Sequence, residues 1–149
     1  LEKSMERFNR LLEAVASPFK NYSHWLLRLG VGISFFLHGF GKLPISEGFI
    51  GFLSSKGVPA ASTMAYLVAW GEMLAGIFII LGGFLTGALG NVVTRVSGGA
   101  VVVIMVCAIL IAHSHWALFF GERGEVLFTS EQIFLLLLGI YFSIRGNDD

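Results

Sequence analysis

The chain has 149 residues, 55% of them apolar and only 13% charged, with a mean hydropathy of +0.78. Soluble domains carry about 25% charged residues, so an ordinary water-soluble domain is excluded, and the length suits one domain. Ten basic residues balance ten acidic ones with no basic run, which removes the electrostatic footprint nucleic acid needs. A lone Cys107 excludes an internal disulfide, a CxxC redox motif and a thiolate zinc cluster.

Residues 1–23 contain Glu2, Glu6 and Glu13 and lack the apolar core of a secretory signal. Met5, Phe8, Leu11, Leu12, Val15 and Phe19 recur at steps of three and four, and Pro18 marks the end. The pattern predicts an amphipathic helix lying on a membrane surface. Four apolar segments follow that approach the ~20 residues a spanning helix needs: about Trp25–Leu43, Ala61–Gly83, Val93–Ala112 and Gln132–Ile144. The fourth is short and spans only if neighbouring residues complete its turns. The loop from Pro44 to Pro59 gathers Phe49, Ile50, Phe52 and Leu53, and is expected to dip into the interface or cover a site beneath it. Between the second and third segments, Phe84 to Asn91 reads as a Gly-rich turn with a C-cap at Gly87 or Gly90.

Four crossings place both termini on one side with the Phe84–Asn91 turn. That side collects Lys3, Arg7, Arg10, Lys20, Arg28, Arg95 and Arg145, against Lys42, Lys56 and Arg123 on the other. The bias predicts both termini inside. Tyr22 and Trp25 then lie at the inner interface, with Trp116, Phe119 and Phe120 at the outer one.

Ionisable groups inside apolar spans are costly unless paired or hydrated, so they are the informative positions. Arg28, His38 and Lys42 fall within an arc of roughly 80° on the first segment, together with Phe35. Glu72 sits near the middle of the second, on a face shared with Ala65, Ala69, Gly76 and Gly83. The third ends at His113, Ser114 and His115, and the fourth begins near Glu131. These positions predict a polar pocket within the bundle, open outward and walled by Phe35, Phe36, Phe40 and Trp70. Each has a plainer reading: Arg28 and Arg145 as snorkelling anchors, Glu72 as half of an architectural ion pair, and His113 and His115 as interfacial groups. The H-x-H pair is a weak metal signal, and neither metal nor haem is expected.

The segments LLRLGVGISFFLHGFGKL (Leu26 to Leu43) and WGEMLAGIFIILGGFLT (Trp70 to Thr86) resemble the DoxX family of small four-helix membrane proteins, with HGxGK and GExxxG as the most specific parts. The third segment ending at His113 and the fourth led by Glu131 also fit. The resemblance covers roughly Trp25 to Gly146 and implies an integral membrane four-helix bundle. The organisation expected is a surface helix (1–23), a DoxX-like domain (24–146) and a tail (147–149). It further implies a bacterial or archaeal cytoplasmic-membrane protein associated with quinone chemistry and redox stress, of the kind named for thiosulfate:quinone oxidoreductase. Arg28, His38, Lys42, Glu72 and His113 carry over by position.

The function expected is that of a quinone-binding membrane subunit of a redox complex. A quinol loses protons as it gives up electrons, and a buried Glu72 with His38 can accept them as catalytic relay groups. Arg28, Lys42, His113, Trp70 and Phe35 are the expected binding residues. No haem, flavin or iron–sulfur motif is visible, so the redox centre is expected on a partner membrane subunit. The alternative is a non-catalytic structural or assembly subunit of a larger membrane complex; a small transporter is less favoured, since four spans show no discontinuous-helix repeat.

Overall fold

The computed structural model describes residues 1–147; positions 148 and 149 of the expected tail lie outside the described residues. Helix α1 (Glu2–Ala16) runs through a 3₁₀ segment (Ser17–Tyr22) into α2 (Ser23–Phe40). There follow α3 (Glu47–Ser55), α4 (Ala61–Phe84), α5 (Gly87–Ala112), a 3₁₀ turn (Leu127–Thr129) and α6 (Glu131–Arg145). The described residues are all-α apart from one isolated bridge, Ala117 to Val126.

The helices pack in a chain of neighbours: α2 on α4, α4 on α5 and α5 on α6, with α2 touching α6 and α3 laid on α4. Val31, Phe35, Ala75, Ile79, Val101, Met105, Leu135 and Phe142 form the core. Close approach needs small residues, because backbones must come within side-chain reach. A Cβ on Gly76 would run into the Gly32 carbonyl and the Phe36 amide, and one on Gly39 into the Ala69 carbonyl. At the far end Arg95 of α5 donates to the carbonyls of Ser143 (3.3 Å), Ile144 (2.6 Å) and Arg145 (3.3 Å), satisfying the last acceptors of α6.

The exterior is apolar. Leu26, Ile33, Leu37, Leu67, Phe78, Val96, Val103, Leu110, Phe134 and Ile144 are all exposed, whereas Arg28, Glu72, Thr94 and Ser97 are buried. Helices α4 and α5, of 24 and 26 residues, are long and apolar enough to cross a membrane. Only 33% and 22% of their most apolar stretches is buried, unlike the core helix of a soluble protein.

Two of the four expected spans fall short by length or apolarity alone, and some expectations about the loops need correction. Helix α6 has 15 residues and rises about 22 Å, short of the ~30 Å hydrocarbon core. Helix α2 has 18, but carries Arg28 and two histidines. Among the described residues two helices, not four, therefore meet the length and apolarity of a span. The Pro44–Pro59 loop is partly helical, because Ser46 caps α3 by accepting from the Phe49 amide at 3.2 Å. Neither Gly87 nor Gly90 caps α4: it stops when Leu85 turns extended, and Gly87 opens α5 at φ +65°. Lys42 lies in the turn after α2 rather than within the helix.

Candidate functional site

Where the turn after α2 meets the middle of α4 and the start of α6, four ionisable side chains gather. Glu72 is buried, its side chain 4% exposed, because its face of α4 (Ala65, Ala69, Met73, Gly76) packs against α2. The turn after α2 brings Lys42 over this face, and its Nζ lies 2.5 Å from Glu72 Oε2. Lys42 also donates to the His38 carbonyl at 3.1 Å, which fixes the ammonium against the end of α2. A carboxylate so placed is retained only because a cation and a hydrogen bond compensate its desolvation.

His38 meets this pair through its backbone carbonyl and α6 through its ring. Its Nδ1 lies 2.8 Å from the Ser34 carbonyl, and its Nε2 lies 2.9 Å from Glu131 Oε1. A carbonyl can only accept, so Nδ1 carries a proton. Nε2 then faces a carboxyl oxygen, and one proton occupies that line, as imidazolium with carboxylate or as imidazole with carboxylic acid. Glu131 is half exposed and His38 a third, while Glu72 is closed off. The order Glu131, His38, Lys42, Glu72 thus runs from accessible to buried. Among the described residues no hydrogen bond joins His38 to Glu72; Lys42 bonds both the Glu72 carboxylate and the His38 backbone carbonyl.

The other expected site residues are dispersed. Phe35 is fully buried in the core. Trp70 is half exposed, because two residues along a helix turn it about 160° from Glu72; with the exposed Phe40 it faces outward instead of walling an internal pocket. His113 follows α5 and packs on Trp116, ring centroids 3.9 Å apart. Among the described residues nothing bonds it to Glu72. Burial, then the nearby His115, hold its imidazole below the usual histidine range.

Arg28 lies 12 residues before the end of α2, about 18 Å down the helix axis from the turn that holds Lys42. It donates to the Ile79 carbonyl, to Thr94 Oγ1 at 3.0 Å and to Asn147 Oδ1 at 2.8 Å. Thr94 donates to the same Asn147 oxygen at 2.6 Å. Sequence reasoning missed Asn147, Thr94 and the pairing role of Glu131. A threonine on an apolar helix and an asparagine beyond the last helix carry little signal, whereas Glu131 at the mouth of the fourth segment was visible without a partner. No group of three or more metal-ligating side chains occurs among the described residues.

The family model described as DoxX matches residues 24–114. The chain is 44% identical over 57 residues, 38% of its own length, to a Bacillus subtilis (strain 168) protein named "Putative oxidoreductase CatD". It spans about two-fifths (41%) of that relative. No solved structure matches.

Proposed function

This chain belongs to the membrane-associated DoxX family, and on that premise we propose that it is a multi-pass membrane subunit that binds a quinone and moves the protons of its oxidation and reduction. All four long helical segments cross the bilayer in this reading. The shorter α6 is completed by the ordered residues before it and by local thinning of the lipid. The observation that carries the proposal is two adjacent ionisable pairs: Lys42 holds the buried Glu72 carboxylate and donates to the backbone carbonyl of His38, whose imidazole meets the more accessible Glu131. In a chain with so few charged residues, such groups at membrane depth mark functional pathways.

The surroundings suit a quinone head. Phe40, exposed to the apolar exterior and two residues from Lys42 in sequence, stacks on the partly buried Phe36 with centroids 5.9 Å apart. Lys42 donates to a quinone oxygen. As a quinol is oxidised, its two hydroxyl protons leave through Glu72 and the His38–Glu131 line, and its two electrons pass to a redox centre on a partner subunit. Reduction runs the same groups backwards. Arg28, about 18 Å from the end of α2 along its axis, takes no part.

The test is native mass spectrometry of the full chain gently released from its own membranes. Quinone is expected on the wild-type chain and reduced at least tenfold on Lys42→Met. A wild-type chain free of quinone, or an undiminished Lys42→Met, overturns the reading. One observation favours a second reading, an assembly subunit: every residue of α1 is exposed, including Phe8, Leu12 and Val15. A quinone-free chain held stoichiometrically by other subunits would establish it.

A further inference from the structure

At the opposite end of the bundle a cavity of about 850 Å³ opens among the 3₁₀ segment, the start of α2, the α4–α5 turn and the end of α6. Arg28 lines it, only 1% exposed. Among the described residues the hydrogen-bond partners of this guanidinium are all neutral, the Ile79 carbonyl, Thr94 and Asn147, and its Nε has none. The Phe142 and Trp25 rings lie 4.9 and 5.8 Å from its Cζ, which eases the charge without neutralising it. Among the described residues no carboxylate pairs with it, whereas buried charges are normally paired.

The rest of the lining adds no carboxylate side chain among the described residues, and Lys20, which borders the cavity, is already paired with Glu13 of α1. The first turn of the 26-residue α5, Gly87 and Ala88, borders the cavity, and no side chain caps it. Free amides and the helix dipole at such a terminus favour an anion.

We propose that this cavity binds a phosphate-bearing anion, with Arg28 as the buried countercharge and the first turn of α5 supplying backbone donors. The chemistry is shared by an acidic phospholipid headgroup and a free phosphate, and the experiment separates them. Ala88 is exposed at the cavity. Ala88→Glu puts a carboxylate where it suits the helix terminus yet repels the ligand, and Ala88→Gln adds the same bulk without charge. Each full-length variant is released from micelles doped with phosphatidylglycerol or phosphatidylcholine and weighed by native mass spectrometry. Thermal unfolding in detergent is followed with and without inorganic phosphate.

A lipid headgroup predicts retention of phosphatidylglycerol over phosphatidylcholine, reduced about tenfold by Ala88→Glu and kept by Ala88→Gln. A free anion predicts instead a rise in unfolding temperature with inorganic phosphate that Ala88→Glu abolishes. If Ala88→Glu retains phosphatidylglycerol as the wild type does and phosphate shifts nothing, the site does not exist. Folded Arg28→Gln must reproduce the loss, and its retention of the ligand would equally overturn the assignment.

Discussion

The Lys42–Glu72 pair shows how a membrane-like interior changes the worth of one contact. An exposed ion pair contributes about 0–1 kcal/mol, but Glu72 is closed to solvent and Lys42 is three-quarters covered. Removing the cation leaves a carboxylate without compensation. Lys42→Met is therefore expected to cost about 2–3 kcal/mol, somewhat below the range for fully buried pairs because Lys42 keeps some exposure. Adding Glu72→Gln should restore more than half of that. A double-mutant cycle read by thermal unfolding in detergent checks it, and a coupling near zero would show that the two side chains do not stabilise each other. His113 offers a pH-dependent case. Its folded pKa lies below the ordinary value of 6.5, mainly through burial, so the unfolded chain binds more protons and stability rises with pH. The contribution is complete above the ordinary value and is lost as pH falls through the folded one. The unfolding midpoint should fall between about pH 8 and pH 5, and His113→Asn should flatten that part of the profile.

At the scale of elements, contact between α2 and α4 depends on backbone proximity. Gly76→Ala drives a methyl into the Gly32 carbonyl and the Phe36 amide, neither of which can move without shifting a whole helix. The expected cost is about 2–3 kcal/mol. Gly51→Ala on α3 meets nothing within 4 Å and should be neutral or stabilising by up to about 1 kcal/mol through helix propensity. Paired denaturation curves compare the two, and equal losses would remove the close-approach argument. These elements also show what the chain reveals unaided. Ala61 as the start of α4, Ala112 as the end of α5 and the buried face of Glu72 follow from hydropathy and the helical repeat. Helix α3 was hidden because nine residues barely exceed two turns, although Ser46 three residues before Phe49 was a capping signal. The His38–Glu131 contact was not readable, since a helical repeat fixes faces within one helix and not the rotation between two. Asn147 sits beyond any periodic segment, so its return to Arg28 had no local sign.

The whole molecule is inside-out relative to a soluble bundle: its exterior is apolar, while Arg28, Glu72 and Thr94 are buried. That inversion, with basic residues concentrated at the end bearing the N-terminus and the α4–α5 turn, sets a topology that can be checked directly. If four segments cross the membrane, α3 and the loop after α5 share one side, and Ser4 with Thr86 share the other. Lys and Arg bias assigns the second side to the cytoplasm. Cys107 is free, so a Cys107→Ser background gives a silent chain. Ser54, Ser114, Ser4 and Thr86 are all exposed, which makes each a tolerant site for a single cysteine. In intact cells a membrane-impermeant maleimide should label Ser54→Cys and Ser114→Cys, and should reach Ser4→Cys and Thr86→Cys only after permeabilisation. The reverse pattern would keep the four crossings and invert the orientation. Labelling of Ser54→Cys and Thr86→Cys from one side would break the α4 crossing and with it the multi-pass reading. Because α4 also carries Glu72, that outcome would remove the membrane depth on which the proposed proton uptake by Glu72 and His38 depends.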